Sequence, residues 1–178
     1  LAGLGPEPLT VQDTIAHLLT AAIAKARDDA PKLEQPQVDR VCEALATLRP
    51  FVPLAVVART AGVSESLVAS LASDLGRPLL IRDGAVQFRD EPTETWFRER
   101  FRPSAANLAE FVDRLLPLAS TSAYVAATLP QLMLEAGRFD ALVRLTLEGD
   151  ALPQDDPVAR RDVELQRLRF ALQAALRD

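Results

Sequence analysis

Apolar residues recur every three or four positions along most of the chain, which is the spacing of amphipathic helices rather than of strands. The helices that this pattern predicts cover residues 10–29, 37–48, 54–61, 64–75, 92–101, 104–118, 121–136, 139–147 and a last segment from 157. Prolines and glycines fall mostly at the borders of these segments, where they end one helix or begin the next. The pattern therefore predicts a mainly α-helical fold.

A short stretch in the middle of the chain departs from helical spacing. The runs LLIR (79–82) and AVQF (85–88) flank Asp-Gly at 83–84, the strongest short-range signal for a β-hairpin. Just before them, GVS (62–64) separates two short helices, and Ser64 is suited to cap the second one. This order favours a winged helix, a helix-turn-helix followed by a two-stranded β-hairpin. A plain helical hairpin followed by an unrelated β-ribbon is the alternative.

The C-terminal part is predicted to be an array of α-helical hairpins. The stretch LEAGRFDAL (134–142) is similar to the helix–turn–helix joint of tetratricopeptide-like repeats. No second copy follows at a period of about 34 residues, so an irregular helical bundle is the alternative. The last helix has apolar residues at Leu165, Leu168, Leu172, Ala175 and Leu176. In a stacked array, such a terminal helix would need a further neighbour.

These patterns divide the chain into three predicted units. Residues 1–36 form an N-terminal helix and connector, residues 37–102 a winged-helix domain, and residues 103–178 a helical-hairpin domain. The predicted fold is thus a winged helix followed by a tetratricopeptide-like array.

The composition argues against catalysis. His17 is the single histidine and Cys42 the single cysteine, which are too few for a tetrahedral zinc site. None of the seven glycines lies in a phosphate-binding loop pattern. We therefore predict that the chain is not an enzyme and holds neither a cofactor nor a metal.

Other features concern the cellular setting. No apolar run approaches the roughly 20 residues that cross a bilayer, and no signal-peptide pattern is present. A single cysteine cannot form an internal disulfide, which favours a reducing, cytoplasmic compartment. The chain begins at Leu1 rather than at methionine, which suggests a piece of a longer protein.

Residues 48–102 resemble the winged-helix segment that follows the ATPase core in STAND-type signalling NTPases, especially large bacterial ones. The resemblance rests on LRPFVP (48–53), AxxAGV (58–63), DLGRPLL (74–80) and FRDEPTETWFR (88–98), and AGRF (136–139) looks like the start of such a protein's repeat region. It implies a non-catalytic switch module that packs on the nucleotide-binding domain at rest and relays nucleotide state to the repeats. The Walker A and Walker B segments are absent from this chain, so the resemblance implies a fragment without the ATPase core.

Four residues near the predicted wing are candidates for contact with a protein partner: Arg77, Asp90, Glu91 and Trp96. The three charged residues flank the wing and have no evident role in pairing along a helix. Trp96 belongs to an aromatic group with Phe97 and Phe101, which is predicted to be core where the next helix meets the helical array.

A DNA-binding winged-helix transcriptional regulator is the alternative function, and a stand-alone helical scaffold is a third possibility. Residues 54–91 contain four arginines and five carboxylates, and the whole chain has a formal charge of −5. The presumed recognition helix (64–75) contains no Lys, Arg, Asn or Gln, the side chains that read base edges. The predicted partners are therefore proteins, above all the ATPase domain and neighbouring repeats, rather than nucleic acid or a membrane.

Overall fold

The fold is mainly helical, with one small antiparallel sheet. The computed structural model describes residues 11–29, 35–76, 78–154 and 156–177. In chain order, the elements among these residues are α1 (Val11–Asp29), α2 (Gln35–Thr47), β1 (Val52–Pro53), α3 (Leu54–Ala61), α4 (Glu65–Leu75), β2 (Leu79–Arg82), β3 (Ala85–Phe88), α5 (Glu91–Arg100), α6 (Ala105–Leu115), α7 (Ala123–Glu135), α8 (Phe139–Glu148) and α9 (Pro157–Ala175). A single 3₁₀ turn, Leu116–Leu118, extends α6 where Pro117 prevents further α-helix.

The predicted hairpin forms the larger part of the sheet. Strands β2 and β3 pair in antiparallel register, with Leu79 opposite Phe88 and Arg82 opposite Ala85. Asp83 and Gly84 both have positive φ values, 52° and 74°, as the two central residues of a type I′ turn require. The Asp-Gly signal therefore predicted both strands and their turn correctly.

Sequence analysis missed the third strand. Strand β1 has only two residues, and it pairs antiparallel with β3 so that the strand order is β1-β3-β2. A two-residue segment is too short to show periodicity, and its proline is typical of a linker. Proline is nevertheless tolerated in a strand at the edge of a sheet. The sheet is thus three-stranded rather than a two-stranded ribbon.

Helices α3 and α4 meet at a tight turn and lie 107° apart. Gly62 ends α3 in the left-handed conformation, with φ of 73°. Ser64 then caps α4 by accepting a hydrogen bond from the backbone N–H of Leu67. The turn and the cap were both predicted, because each depends on residues close together in sequence.

Gly62 also faces the guanidinium of Arg114, which comes from α6. A Cβ at this position would lie 2.2 Å from the Arg114 Nη1, and that nitrogen donates a hydrogen bond of 3.0 Å to the Thr60 carbonyl. The glycine therefore provides both the backbone conformation and the space that the arginine needs.

Gly62→Ala is expected to lower the free energy of unfolding by about 2–3 kcal/mol, because alanine is strained in the left-handed conformation and Arg114 must also leave its carbonyl. Urea denaturation measures the loss. Gly137→Ala is the matched control, since Gly137 also follows a helix with φ of 70° but has no atom within 4 Å of its ideal Cβ. Equal losses in the two variants would mean that the Arg114 contact contributes nothing.

The N-terminal helices pack around the sheet in one core. Helix α1 lies against α4, α5 and α2, and α2 lies against α3 and α5. The fully buried side chains that join them include Leu19, Val41, Val57 and Phe97. The region from α1 to α5 is thus packed together, and its core continues into the C-terminal helices where α3 packs against α6.

The C-terminal helices pack in sequence, and the last one turns an unexpected face inward. Helix α6 contacts α7, α7 contacts α8, and α9 contacts both α7 and α8. The residues by which α9 is buried are Val163, Arg167, Ala171 and Ala174. The leucines that define its apolar face in the sequence are exposed to solvent instead. An apolar stripe marks a contact surface, but it does not say which neighbour covers it.

No single described helix is both long and apolar enough to cross a bilayer. Helices α3 and α4 reach the length and apolarity of a membrane span only when they are taken together, and the chain bends by 107° between them.

Candidate functional site

Three of the four predicted interface residues lie in or just before α5. Asp90 and Glu91 are exposed at the start of this helix, and Trp96 is half-buried in its second turn. Arg77 lies outside the described residues. The structure therefore brings Asp90 and Glu91 to one surface, while Trp96 turns toward the core.

Asp90 has a structural role that the sequence analysis did not assign. It is the N-cap of α5, and its carboxylate accepts a hydrogen bond of 2.9 Å from the backbone N–H of Thr93. Hydrogen bonds from the Thr93 side chain and backbone hold the pKa of Asp90 below its ordinary value. Aspartate two residues before Pro92, at the start of a helix, is the signal that would have indicated this cap.

Asp90→Ala is expected to lower the free energy of unfolding by about 1 kcal/mol, the usual effect of losing an N-cap. Asp90→Asn is the matched variant, because asparagine caps a helix as well as aspartate but carries no charge. Thermal and urea unfolding should therefore find Asp90→Asn close to wild type. If both variants lose the same stability, the charge rather than the cap stabilises α5.

Asp90 also borders an apolar groove between α1, α4 and α5. The groove has a volume of about 480 Å³ and is lined by Leu18, Leu19, Ala22, Leu75, Pro78, Arg89, Asp90 and Thr93. Leu18 is 61% exposed at its edge. Nothing in the sequence around Leu18 indicates that α1 will lie against α4. Sequence analysis therefore did not identify Leu18 as a residue of this groove. The groove can accept an apolar side chain from a partner, with Arg89 and Asp90 beside it for polar contacts.

Trp96 belongs to a cluster of four aromatic rings. The Phe97 ring lies 5.1 Å from that of Phe88 and 5.0 Å from that of Phe101, and Trp96 meets Phe97 and Phe101 edge-on. Phe97 is fully buried, whereas Trp96 is the half-buried member. The prediction that these aromatics form core thus holds most strongly for Phe97.

The outer surface of α4 carries no positive charge. Its exposed side chains are Glu65, Ser66, Ser70, Ser73 and Asp74. Serine hydroxyls are short, and carboxylates repel phosphates, so this surface offers little to a DNA backbone.

A seam of polar contacts joins the N-terminal unit to the C-terminal helices at the ends of α2 and α3. The Tyr124 hydroxyl donates a hydrogen bond of 2.7 Å to the Arg49 carbonyl, just beyond α2. Arg114 donates to the Thr60 carbonyl near the end of α3, where the helix dipole favours a cation. Arg59 in turn donates to the Arg114 carbonyl at 3.2 Å. We call these contacts the seam.

Charged side chains extend the seam along α2. Glu110 on α6 accepts hydrogen bonds from both Arg40 on α2 and Arg114, and the Arg40 contact holds the pKa of Glu110 below its ordinary value. Asn107 donates to Glu43 at 2.8 Å. Burial raises the pKa of Tyr124 to about 12, so its hydroxyl stays protonated as a donor. Apart from the Arg114–Glu110 pair within α6, each contact joins residues more than 50 positions apart, which explains why sequence analysis did not find the seam.

The single cysteine and the single histidine lie on different helices, one buried and one exposed. Cys42 is buried on α2, and this burial raises the pKa of its thiol to about 12, whereas a nucleophilic cysteine needs a lowered pKa. His17 is exposed on α1. Among the described residues, no three His, Cys, Asp or Glu side chains converge on a point where a metal could bind.

Comparison with known proteins assigns no family. No family model matches the chain, and no curated protein matches it significantly.

Proposed function

We propose that this chain is a non-catalytic, protein-binding relay module of a STAND-type NTPase. In this proposal, residues 37–102 are a winged-helix domain that docks on the nucleotide-binding domain of the parent protein. Residues 103–178 are the first hairpins of a tetratricopeptide-like array, and the module transmits nucleotide state from one to the other.

The seam is the observation that carries this proposal. A relay needs two binding units that move together, and directional hydrogen bonds between units resist sliding better than apolar contact alone. Tyr124 and Arg114 reach across to carbonyls at the ends of α2 and α3, and Glu110 links Arg40 to Arg114. A displacement of the winged helix would therefore carry α6 and α7 with it.

Two further features agree with this proposal. The 107° angle between α3 and α4 and the β2–β3 hairpin that follows them, with β1 added as a third strand, fit the winged-helix pattern. The groove beside Arg89 and Asp90 offers a partner an apolar recess with charges at its edge. The surface of α4, with serines and carboxylates only, favours a protein partner over DNA.

The first experiment is binding to the nucleotide-binding domain encoded in the same gene. The coding sequence upstream should contain a P-loop, and that domain, expressed separately, should bind this chain at least about tenfold more tightly in Mg-ADP than in Mg-ATP by isothermal titration. Leu18→Asp and Asp90→Asn should weaken the complex. Asp156→Asn, at the equivalent cap of α9, is the control and should not. An upstream sequence without a P-loop, or equal binding in both nucleotides, would overturn the proposal.

The second experiment tests the relay itself. In the complex, exchange of ADP for ATP should change amide hydrogen exchange in α6 and α7 as well as around the groove. The double variant Tyr124→Phe/Arg114→Met should keep the change at the groove and lose it in α6 and α7. A wild-type response confined to the groove would contradict a relay.

A third experiment tests the DNA-binding alternative. Fluorescence anisotropy with mixed-sequence duplex DNA at about 50 mM salt, a condition that strengthens electrostatic binding, should detect no submicromolar complex. Submicromolar affinity that weakens steeply with salt would favour a transcriptional regulator instead.

A further inference from the structure

The most extensive exposed apolar surface in the described part of the chain is a stripe along α9. We define the α9 stripe by its five large side chains, which are 56–80% exposed: Val158, Leu165, Leu168, Leu172 and Leu176. From Val158 to Leu176, the residue that follows α9, they extend over about 27 Å. Contiguous apolar surfaces of this kind on soluble proteins commonly mark contact sites.

The spacing of the stripe is that of a coiled coil. Val158, Leu165 and Leu172 are seven residues apart, and Leu168 and the exposed Ala175 each follow three residues after a member of that series. These are the a and d positions of a heptad repeat, and Leu176 lies at the e position that follows Ala175. Arg161 occupies the remaining d position. The face is therefore shaped to pair with one helix along its length.

The charges beside the stripe select the partner and its direction. Asp162 and Arg169 are exposed at e positions, and neither has an ion-pair partner among the described residues. When two copies of α9 run antiparallel with Leu165 opposite Leu168 of the other copy, each Asp162 faces the other Arg169. A parallel pair would instead place the two Arg161 side chains against each other, which is unfavourable. The stripe is thus complementary to itself in the antiparallel direction.

We propose that this chain forms a symmetric dimer through antiparallel pairing of the α9 stripe with that of a second copy. The central layers are Leu165 against Leu168, and Asp162–Arg169 ion pairs flank them on both sides of the twofold axis. Arg161 lies opposite Leu172, where its aliphatic stem covers the leucine and its guanidinium reaches solvent. The interface closes on itself, so it yields a dimer and not a filament. The dimer needs the α9 stripe to be free, whereas a tetratricopeptide-like array would stack a further helix on it, so the two proposals compete for this surface but not for the groove beside Asp90.

Sedimentation equilibrium of the full chain tests the dimer. Wild type should pass from monomer to dimer between about 5 and 500 μM protein, a range suited to a single helix pair. Leu168→Glu should be monomeric throughout. Ile81→Glu is the control, because Ile81 is 44% exposed on β2, far from α9 in the fold, and it should dimerise like wild type.

A charge exchange tests the direction of pairing. Asp162→Arg and Arg169→Asp should each weaken the dimer at least about tenfold, and the double variant should restore it, because the opposite charges again face each other. Circular dichroism of each variant checks that α9 stays helical. A monomeric wild type, a dimeric Leu168→Glu, or a double variant no better than the single ones would overturn the proposal. None of these outcomes would affect the nucleotide-dependent binding proposed above.

Discussion

Phe97→Ala is expected to lower the free energy of unfolding by about 3–5 kcal/mol, the usual loss for a large aromatic removed from a core. Phe97 is fully buried, and its ring contacts those of Phe88 on β3 and Phe101 at the end of α5. Alanine would leave a cavity where the sheet meets α5, which α2 also covers. Urea denaturation monitored by circular dichroism measures the loss.

Trp96→Ala is the comparison, and we expect a smaller loss of about 1–3 kcal/mol, because Trp96 is half-buried and only part of its surface leaves water on folding. If Trp96→Ala lowered the free energy of unfolding as much as Phe97→Ala does, the order of burial in this cluster would be contradicted. A loss below about 0.5 kcal/mol for Trp96 would instead make it a surface residue free to contact a partner.

The parts of the fold that sequence analysis predicted are those set by neighbouring residues. The Asp83-Gly84 turn fixes its hairpin because both residues accept positive φ, and Gly62 and Ser64 fix the junction of α3 and α4. Most helices were also located correctly, because periodicity and proline act locally. Winged-helix and tetratricopeptide-like identities, and the boundaries of the three predicted units, stay predictions.

The parts it could not predict depend on residues far apart in the chain. Nothing local to Arg114 indicates that it will reach a carbonyl of α3, and Tyr124 gives no sign of its bond to Arg49. Helix α9 is the clearest case, because its leucines lie together on one side of the helix, yet the core covers the opposite side. Two partly apolar faces on one helix compete for burial, and the sequence alone does not decide which one packs internally.

The inward face of α9 is itself unusual, because an arginine lies at its centre. Arg167 is 1% exposed, and its guanidinium donates hydrogen bonds to the carbonyls of Asp150 and Ala151 in the loop before α9. Burial lowers the pKa of Arg167, while the nearby charges of Asp150 and Glu164 oppose this effect. Ala151 has a positive φ of 53°, a conformation that non-glycine residues adopt only when neighbours hold it. The arginine thus fixes the loop that sets the position of α9.

Arg167→Met is expected to lower the free energy of unfolding by about 2–4 kcal/mol, because methionine fills much of the space but leaves both carbonyls without their charged donor. Urea denaturation measures this loss, and limited proteolysis should cut the loop before α9 faster than in wild type. Arg160→Met is the control, since it removes only the exposed pair with Glu164 on the same helix and should cost less than about 1 kcal/mol. Wild-type stability and wild-type cleavage in Arg167→Met would mean that water replaces the guanidinium and that this arginine does not hold the loop.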